Sequence, residues 1–334
     1  MTLLLVIGKY GYAWIVGDAV DDLCSIGEIV MGYASGHYDH EMAVSIAAAH
    51  VAAKVKVDGN GTMVALGVGM QKAKMMMRKV MSGAKVSSGL WIAGINSPKA
   101  VTVAGEHELI DGLVALAKDP SVMVFATKLR VSCAFHTPLM EVQEALFKDR
   151  VGATPLSQGT KTPIARVMSM TDGKWLERDR DIDYCWDNIC HPMLFGTAIN
   201  KMVTDEGANG ILFLEIAPHP VLKSYIEQCS GECISLVRRP NPKVPAQNTG
   251  EHYQFLEGIG NLISSGFKNV DFNRLCTSPD GMANFTKAKL LEYPYNKSHC
   301  WAESLHEQSC RFHRRSHVLS HHRTSVLTST RTLT

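Results

Sequence analysis

Residues 62–135 switch repeatedly between two hydrophobic periods, and no other stretch restricts the fold so tightly. The segment 62–67 (TMVALG) has the short apolar composition of a strand, and 71–81, rich in Lys and Met, reads as a helix. A second strand pattern, 90–95, runs into a turn at Asn96, Ser97 and Pro98. The β-branched run 100–104 (AVTVA) is a third strand. In 106–118, Leu109, Ile110, Leu113, Val114, Leu116 and Ala117 recur at three- and four-residue steps, the stripe of an amphipathic helix. A final strand is expected over 124–133. The order βαββαβ predicts a split-βαβ, ferredoxin-like unit, assigned to 61–128.

The flanking sequence alternates more loosely. It predicts a buried strand over 11–17, a polar connection over 18–22, and helices near 26–35 and 39–55 separated at Gly36 and His37. Beyond the central unit it predicts a helix over 138–150 and a strand over 165–170 closed by Thr171, Asp172 and Gly173. Helices over 184–189 and 194–205 follow, split by Pro192. Then come a buried strand over 210–216, a turn at Pro218, His219 and Pro220, a short helix over 221–228 and a helix over 251–264. This alternation suggests an α/β layered core, 1–60 with 129–237, into which 61–128 is inserted. Residues 238–250 have linker composition, placed within a linker region 238–304. The basic tail 305–334 has no acidic residue after Glu307 and no period, and reads as disordered.

Composition narrows the function classes. Apolar residues make up 46% of the 334 positions and the net charge is only +2, which argues against a nucleic-acid partner. Nine cysteines without a secreted-scaffold rhythm read as reduced thiols in a cytoplasmic protein. Cys229 and Cys233 sit four apart with no second pair at zinc spacing, so no metal is expected. The apolar start is interrupted by Lys9 and lacks a cleavage signature, and no run reaches the roughly 20 apolar residues needed to span a membrane.

Two constellations carry chemistry. Ser25-Ile26-Gly27-Glu28 places a hydroxyl before x-Gly at a predicted helix start, where backbone N–H groups can hold an oxyanion. The same pattern also fits a serine that merely caps a helix. His136 lies in Ala134-Phe135-His136-Thr137-Pro138, at the expected end of an apolar strand next to a turn, a place for a general base or for a structural histidine.

Taken together these residues resemble the acyltransferase domains of polyketide and fatty acid synthases, in particular fungal-type iterative polyketide synthases. Ser25-Ile26-Gly27-Glu28 is similar to the family's Gly-His-Ser-x-Gly-Glu, and Asn96, Pro98 and 101–105 (VTVAG) to its Asn-x-Pro…Val-x-Val-x-Gly. His136, Thr137 and Pro138 resemble its catalytic-histidine motif. Tyr184, Trp186, Asn188, Pro192 and Phe195 resemble its Tyr-Trp-x-x-Asn…Pro-Val-x-Phe segment. Glu215, Pro218, His219 and Leu222 resemble Glu-x-Gly-Pro-His-x-x-Leu. The likeness continues through 258–271 and through Tyr293, Pro294 and Trp301, which look like the linker leading to a dehydratase domain.

The resemblance implies a ping-pong acyl transfer. Ser25 would attack the thioester of a malonyl-type acyl-coenzyme A with His136 as base. The acyl-serine would then pass to the phosphopantetheine thiol of an acyl carrier protein. It implies oxyanion roles for Ile26 and Gly27 and substrate contacts for His50, Phe135 and Asn96. It also implies no cofactor on the domain, and ketosynthase and dehydratase neighbours. Three departures qualify this. Leu23 and Cys24 replace the Gly and His before the nucleophile, so 18–24 reads as an insertion. His50 occupies the position, 25 residues after Ser25, where the family carries a carboxylate-binding arginine, so weaker malonyl selectivity or a monoacyl substrate is expected. The family's Gly-Gln-Gly strand is absent, as if roughly eighty to ninety residues were missing before Tyr12, which predicts an impaired oxyanion hole. A fold-retaining, non-catalytic scaffold and a different serine hydrolase are the competing readings.

Overall fold

Strand β3 (Thr62–Leu66) is buried at four of its five positions, because the sheet it centres is covered on both faces. The computed structural model describes residues 3–8, 13–17, 24–152, 166–176, 181–207, 210–217, 219–238, 250–267 and 270–272. The chain divides into two units, Met1–Val270 and Asp271–Thr334, and every element below belongs to the first. After β3 come α3 (Met70–Gly83), β4 (Leu90–Ser97), β5 (Ala100–Gly105), α4 (His107–Lys118) and β6 (Ala126–Lys128). They form an antiparallel sheet of order β4-β5-β3-β6. Val64, Leu66, Val101 and Val103 point to one face, against Met76 and Met77 of α3 and Ile110 and Leu113 of α4. Met63, Ala93 and Ala104 point to the other, against Ala134 and the half-buried Leu129, Val131 and Phe135. The period-two alternation of each strand therefore buries both sets of side chains, and the second face positions the segment that leads to His136.

The second sheet has the order β2-β1-β7-β8, from β1 (Leu3–Gly8), β2 (Ala13–Gly17), β7 (Ile211–Ile216) and β8 (Glu232–Ser235). β1 is antiparallel to β2 and β7, whereas β7 and β8 are parallel. Ile211 and Phe213 pack with Phe195, Ile199 and Met202 of α7 (Phe195–Glu206) and with Ile226 of α8 (Lys223–Gln228). Leu214 and Ile234 pack on the opposite side with Leu262 of α9 (Glu251–Ser264). A helical cluster completes the unit: α1 (Cys24–Ala34), α2 (His40–Lys56), α5 (Glu144–Gly152) and α6 (Ile182–Cys190) share Ile29, Met42, Ile46, Phe147, Trp186 and Ile189.

Several boundaries differ from the sequence reading. The strand expected over 124–133 shrinks to Ala126–Lys128. Beyond it the backbone turns to other partners: Leu129 N–H still reaches Met63 O at 2.9 Å, but Ser132 O accepts from Gly59 N–H and Val131 O from the Thr62 hydroxyl. The strand expected over 165–170 is reduced to a single bridge, Met168 to Trp175. The helix expected over 138–150 begins as a 3-10 turn, Pro138–Gln143, before α5. The turn expected over 96–98 is displaced to Pro98 and Lys99, since β4 runs through Ser97 with two register shifts. β1 and β8 were not expected. The insertion at 18–23, most of the linker, Pro218 and the basic tail lie outside the described residues. No described helix is long and apolar enough to cross a bilayer.

Candidate active site

His136 lies beyond the end of any strand, in a left-handed conformation with φ +58°, which costs a residue with a Cβ roughly 1–3 kcal/mol. Its neighbours hold it there. The Thr137 hydroxyl, fully buried, donates to Ala134 O at 2.7 Å and accepts from Leu139 N–H at 3.3 Å, and Pro138 starts the 3-10 turn. The other clamp is the C-terminal end of α6. That helix is capped at its start by Asp181, which accepts from Tyr184 N–H at 2.8 Å, and is ended by the extended His191 before Pro192. The last carbonyls of a helix lack partners within it. Here Ile189 O accepts the His136 backbone N–H at 3.2 Å, and His191 O lies 3.1 Å from the His136 Nδ1.

A carbonyl only accepts, so Nδ1 carries the proton and Nε2 keeps its lone pair. Nε2 is buried without a hydrogen-bond partner among the described residues. Burial, and next the Lys54 ammonium, push the ring down to about 4, against the opposing pull of the His191 and Asn188 carbonyls. At neutral pH the ring is therefore uncharged, with one nitrogen oriented and the other available to take a proton.

Ser25 and Ile26 are the second and third residues of α1. A helix start presents free N–H groups and the positive end of the helix dipole. Gly27 is buried. Glu28, 2% exposed, ties this helix to α6: its carboxylate accepts Met170 N–H at 2.9 Å and the Tyr184 hydroxyl at 2.8 Å. The single phenolic proton goes to the carboxylate, so the Ser169 hydroxyl, 2.9 Å from the Tyr184 oxygen, donates to it. The helix bearing Ser25 and the helix whose end orients His136 are thus joined by one buried network. α1 stops at Gly36, φ +84°, with His37 and Tyr38 N–H both bonded to Gly32 O. Gly32 itself lies against the Tyr38 ring.

His50, on α2, is 1% exposed and lines a small cavity of about 10 Å3 with Glu28, Ile46, Tyr184 and Asn188. Burial, then Lys54, then His136 hold its pKa well below the ordinary histidine value, so it too is neutral. Phe135 is half-buried beneath the Lys54 ammonium, 4.1 Å from Nζ to the ring centroid. The structure therefore gathers His136, Phe135 and His50 in one region. Asn96 reaches the same α6–α7 connection from β4: Ile95 N–H donates to Met193 O and Met193 N–H to Ala93 O, at 2.8 and 2.9 Å. The Asn96 amide donates to Thr102 Oγ1 at 3.0 Å, and its buried Oδ1 has no partner among the described residues.

The sequence reading gave no role to Lys54, to the Glu28 carboxylate or to the His191 carbonyl. Lys54 follows His50 by four residues, so helical spacing alone could have placed both on one face of α2. Cys229 and Cys233 are both buried free thiols, pushed up to about 11 and about 12 by burial. A groove of about 910 Å3 lies between β8, α8 and α9, lined by Lys223, Glu232, Arg238 and Gln254; none of the site residues lines it.

Comparison with known proteins gives a consistent result. The acyl transferase domain family matches residues 23–248. A highly reducing polyketide synthase, stpks1, from Strobilurus tenacellus is 29% identical over 251 residues, covering 75% of this chain and 9% of the relative. Probable polyketide synthase 41 of Dictyostelium discoideum is 23% identical over 300 residues, covering 85% of this chain and 11% of that protein. This chain thus spans about a tenth of the length of such relatives. Among solved structures, the acyltransferase domain from module 8 of the salinomycin polyketide synthase superposes with a TM-score of 0.60 at 20% identity, over 74% of this chain and 54% of that one. The malonyl CoA-acyl carrier protein transacylase of Clostridium perfringens gives 0.57 at 21%, over 72% and 70%. At these identities the structural likeness speaks for the fold.

Proposed function

From the premise that the chain belongs to the acyl transferase domain family, we propose that it moves a malonyl-type acyl group from coenzyme A, through Ser25, to the phosphopantetheine thiol of an acyl carrier protein. The observation that carries this reading is the His136 ring: buried, neutral, oriented through Nδ1 by His191 O, with Nε2 unengaged among the described residues.

In the first half-reaction Nε2 takes the Ser25 hydroxyl proton as the oxygen attacks the thioester carbonyl. The tetrahedral oxyanion lies at the start of α1, where the Ile26 and Gly27 N–H groups and the helix dipole stabilise it. Collapse breaks the C–S bond, and the imidazolium returns its proton to the coenzyme A sulfur. The second half-reaction runs the same steps in reverse, with the carrier thiol giving its proton to Nε2 and attacking the acyl-serine. In this reading residues 61–128 are a ferredoxin-like subdomain inserted in an α/β-hydrolase-like core, and the site lies in the cleft between them. Phe135 and Asn96 border the acyl group. The domain needs no bound cofactor, and its setting is a cytoplasmic polyketide synthase with ketosynthase and dehydratase neighbours.

Incubation with malonyl- and acetyl-coenzyme A followed by intact and peptide mass spectrometry tests the proposal. An acyl adduct on Ser25, lost in Ser25→Ala, is expected. A folded protein that takes up no acyl group would sink the reading and favour a non-catalytic scaffold.

A further inference from the structure

A substrate with a free carboxylate at its far end brings a negative charge into this site, and a buried carboxylate without a partner is costly. The neutral His50 ring offers it a single N–H and no charge. It is 1% exposed and held neutral by burial, by Lys54 and by His136. Lys54 lies one helical turn further along α2, on the same face as His50, and is half-buried. Its Nζ sits 4.1 Å above the centroid of the Phe135 ring, and Phe135 immediately precedes His136. The ammonium is therefore partly desolvated already, at the edge of the region that holds His50 and His136. It carries three donors on a flexible stem, enough to swing from the ring face to a carboxylate.

We propose that the Lys54 ammonium, not the His50 ring, receives the free carboxylate of a malonyl-type acyl group. This rests on the acyl-transfer reading above and reverses the expectation of weak malonyl selectivity drawn from His50 alone. The same charge opposes protonation of His136 and His50. A bound carboxylate offsets that field, so a malonyl-type substrate itself makes His136 a stronger base than a monoacyl substrate does.

The test uses the full chain and two non-acylating ketone analogues, malonyl- and acetyl-carba(dethia)-coenzyme A, in which a methylene replaces the thioester sulfur, titrated calorimetrically. Lys54→Gln should bind the malonyl analogue roughly ten- to a hundred-fold more weakly, the range expected for losing a hydrogen bond to a charged group, and Lys54→Arg should restore most of it. Affinity for the acetyl analogue should change by no more than about two-fold. Lys54→Met, which keeps the stem over Phe135, replaces the Gln variant if that one melts at a lower temperature. Equal malonyl binding by wild type and variant, parallel loss of both analogues, or binding of neither by wild type overturns the proposal. The two readings fail separately. Lys54-dependent malonyl binding without a Ser25 adduct removes acyl transfer and keeps the carboxylate site. Ser25 adducts with no Lys54 dependence remove only Lys54.

Discussion

Acidification should destabilise this protein through His136 before most of its surface carboxylates matter. The ring is neutral when folded, its pKa pushed from 6.5 to about 4 chiefly by burial. In the unfolded chain it binds a proton below pH 6.5. Between those values the unfolded state holds more protons than the native state, so stability falls as pH falls. The contribution is complete above pH 6.5, is lost progressively through the window, and is gone below about 4. At about 1.4 kcal/mol per pH unit, the window corresponds to roughly 3 kcal/mol, a large fraction of the usual 5–15 kcal/mol of a folded domain. His50 adds to the loss in the same direction. The assay is urea unfolding of wild type and His136→Asn at a series of pH values from 7.5 to 4, where both remain folded without denaturant. Asparagine suits the left-handed backbone at this position and stays uncharged. The variant should be less stable at pH 7 but show a shallower pH dependence, so that the two curves converge on acidification. Parallel curves would show that the ring is not held neutral by its burial, and the assignment of Nε2 as the available base would fall with it.

Two further substitutions probe the scaffold around the site. Glu28→Ala strips the acceptor from Met170 N–H and the Tyr184 hydroxyl, both buried; at about 1–3 kcal/mol per stranded group it should lower stability by about 2–6 kcal/mol in chemical denaturation. Gly32→Ala should destabilise despite alanine's better helix propensity, because its Cβ would sit 2.4 Å from the Tyr38 ring; a loss of about 1–3 kcal/mol in the same assay is the overpacking range, and a gain would mean that α1 and Tyr38 do not pack as described.

Much of the fold could be read from the sequence where one period dominated. The stripe of Leu109, Ile110 and Leu113 produced α4 within a residue of its expected bounds, and the Gly36 break between α1 and α2 is a left-handed stop that only its sequence chemistry suggested. The misses have physical causes. β1 is an apolar run with no alternation, paired on both edges by β2 and β7, and such a run carries no period to read. β8, four residues long, gains its identity only from pairing with β7. The stretch 124–133 keeps strand composition after β6 ends, but its backbone is claimed by Gly59 and Thr62 rather than by a ladder. At the candidate site, Ser25 and His136 stand out in the sequence only through their motifs. The group that orients His136 does not, because a main-chain carbonyl has no letter. Lys54 became visible only when the packing of α2 set its ammonium over Phe135.

The orienting group at His136 belongs to a residue whose own side chain faces elsewhere: the His191 imidazole is 59% exposed and bonded back to Asp187 O of its helix. Residue 191 thus serves the interior with its peptide and the solvent with its ring. A substitution at 191 that ends the helix at the same point would therefore keep the acceptor for His136 in place, whatever side chain it brings.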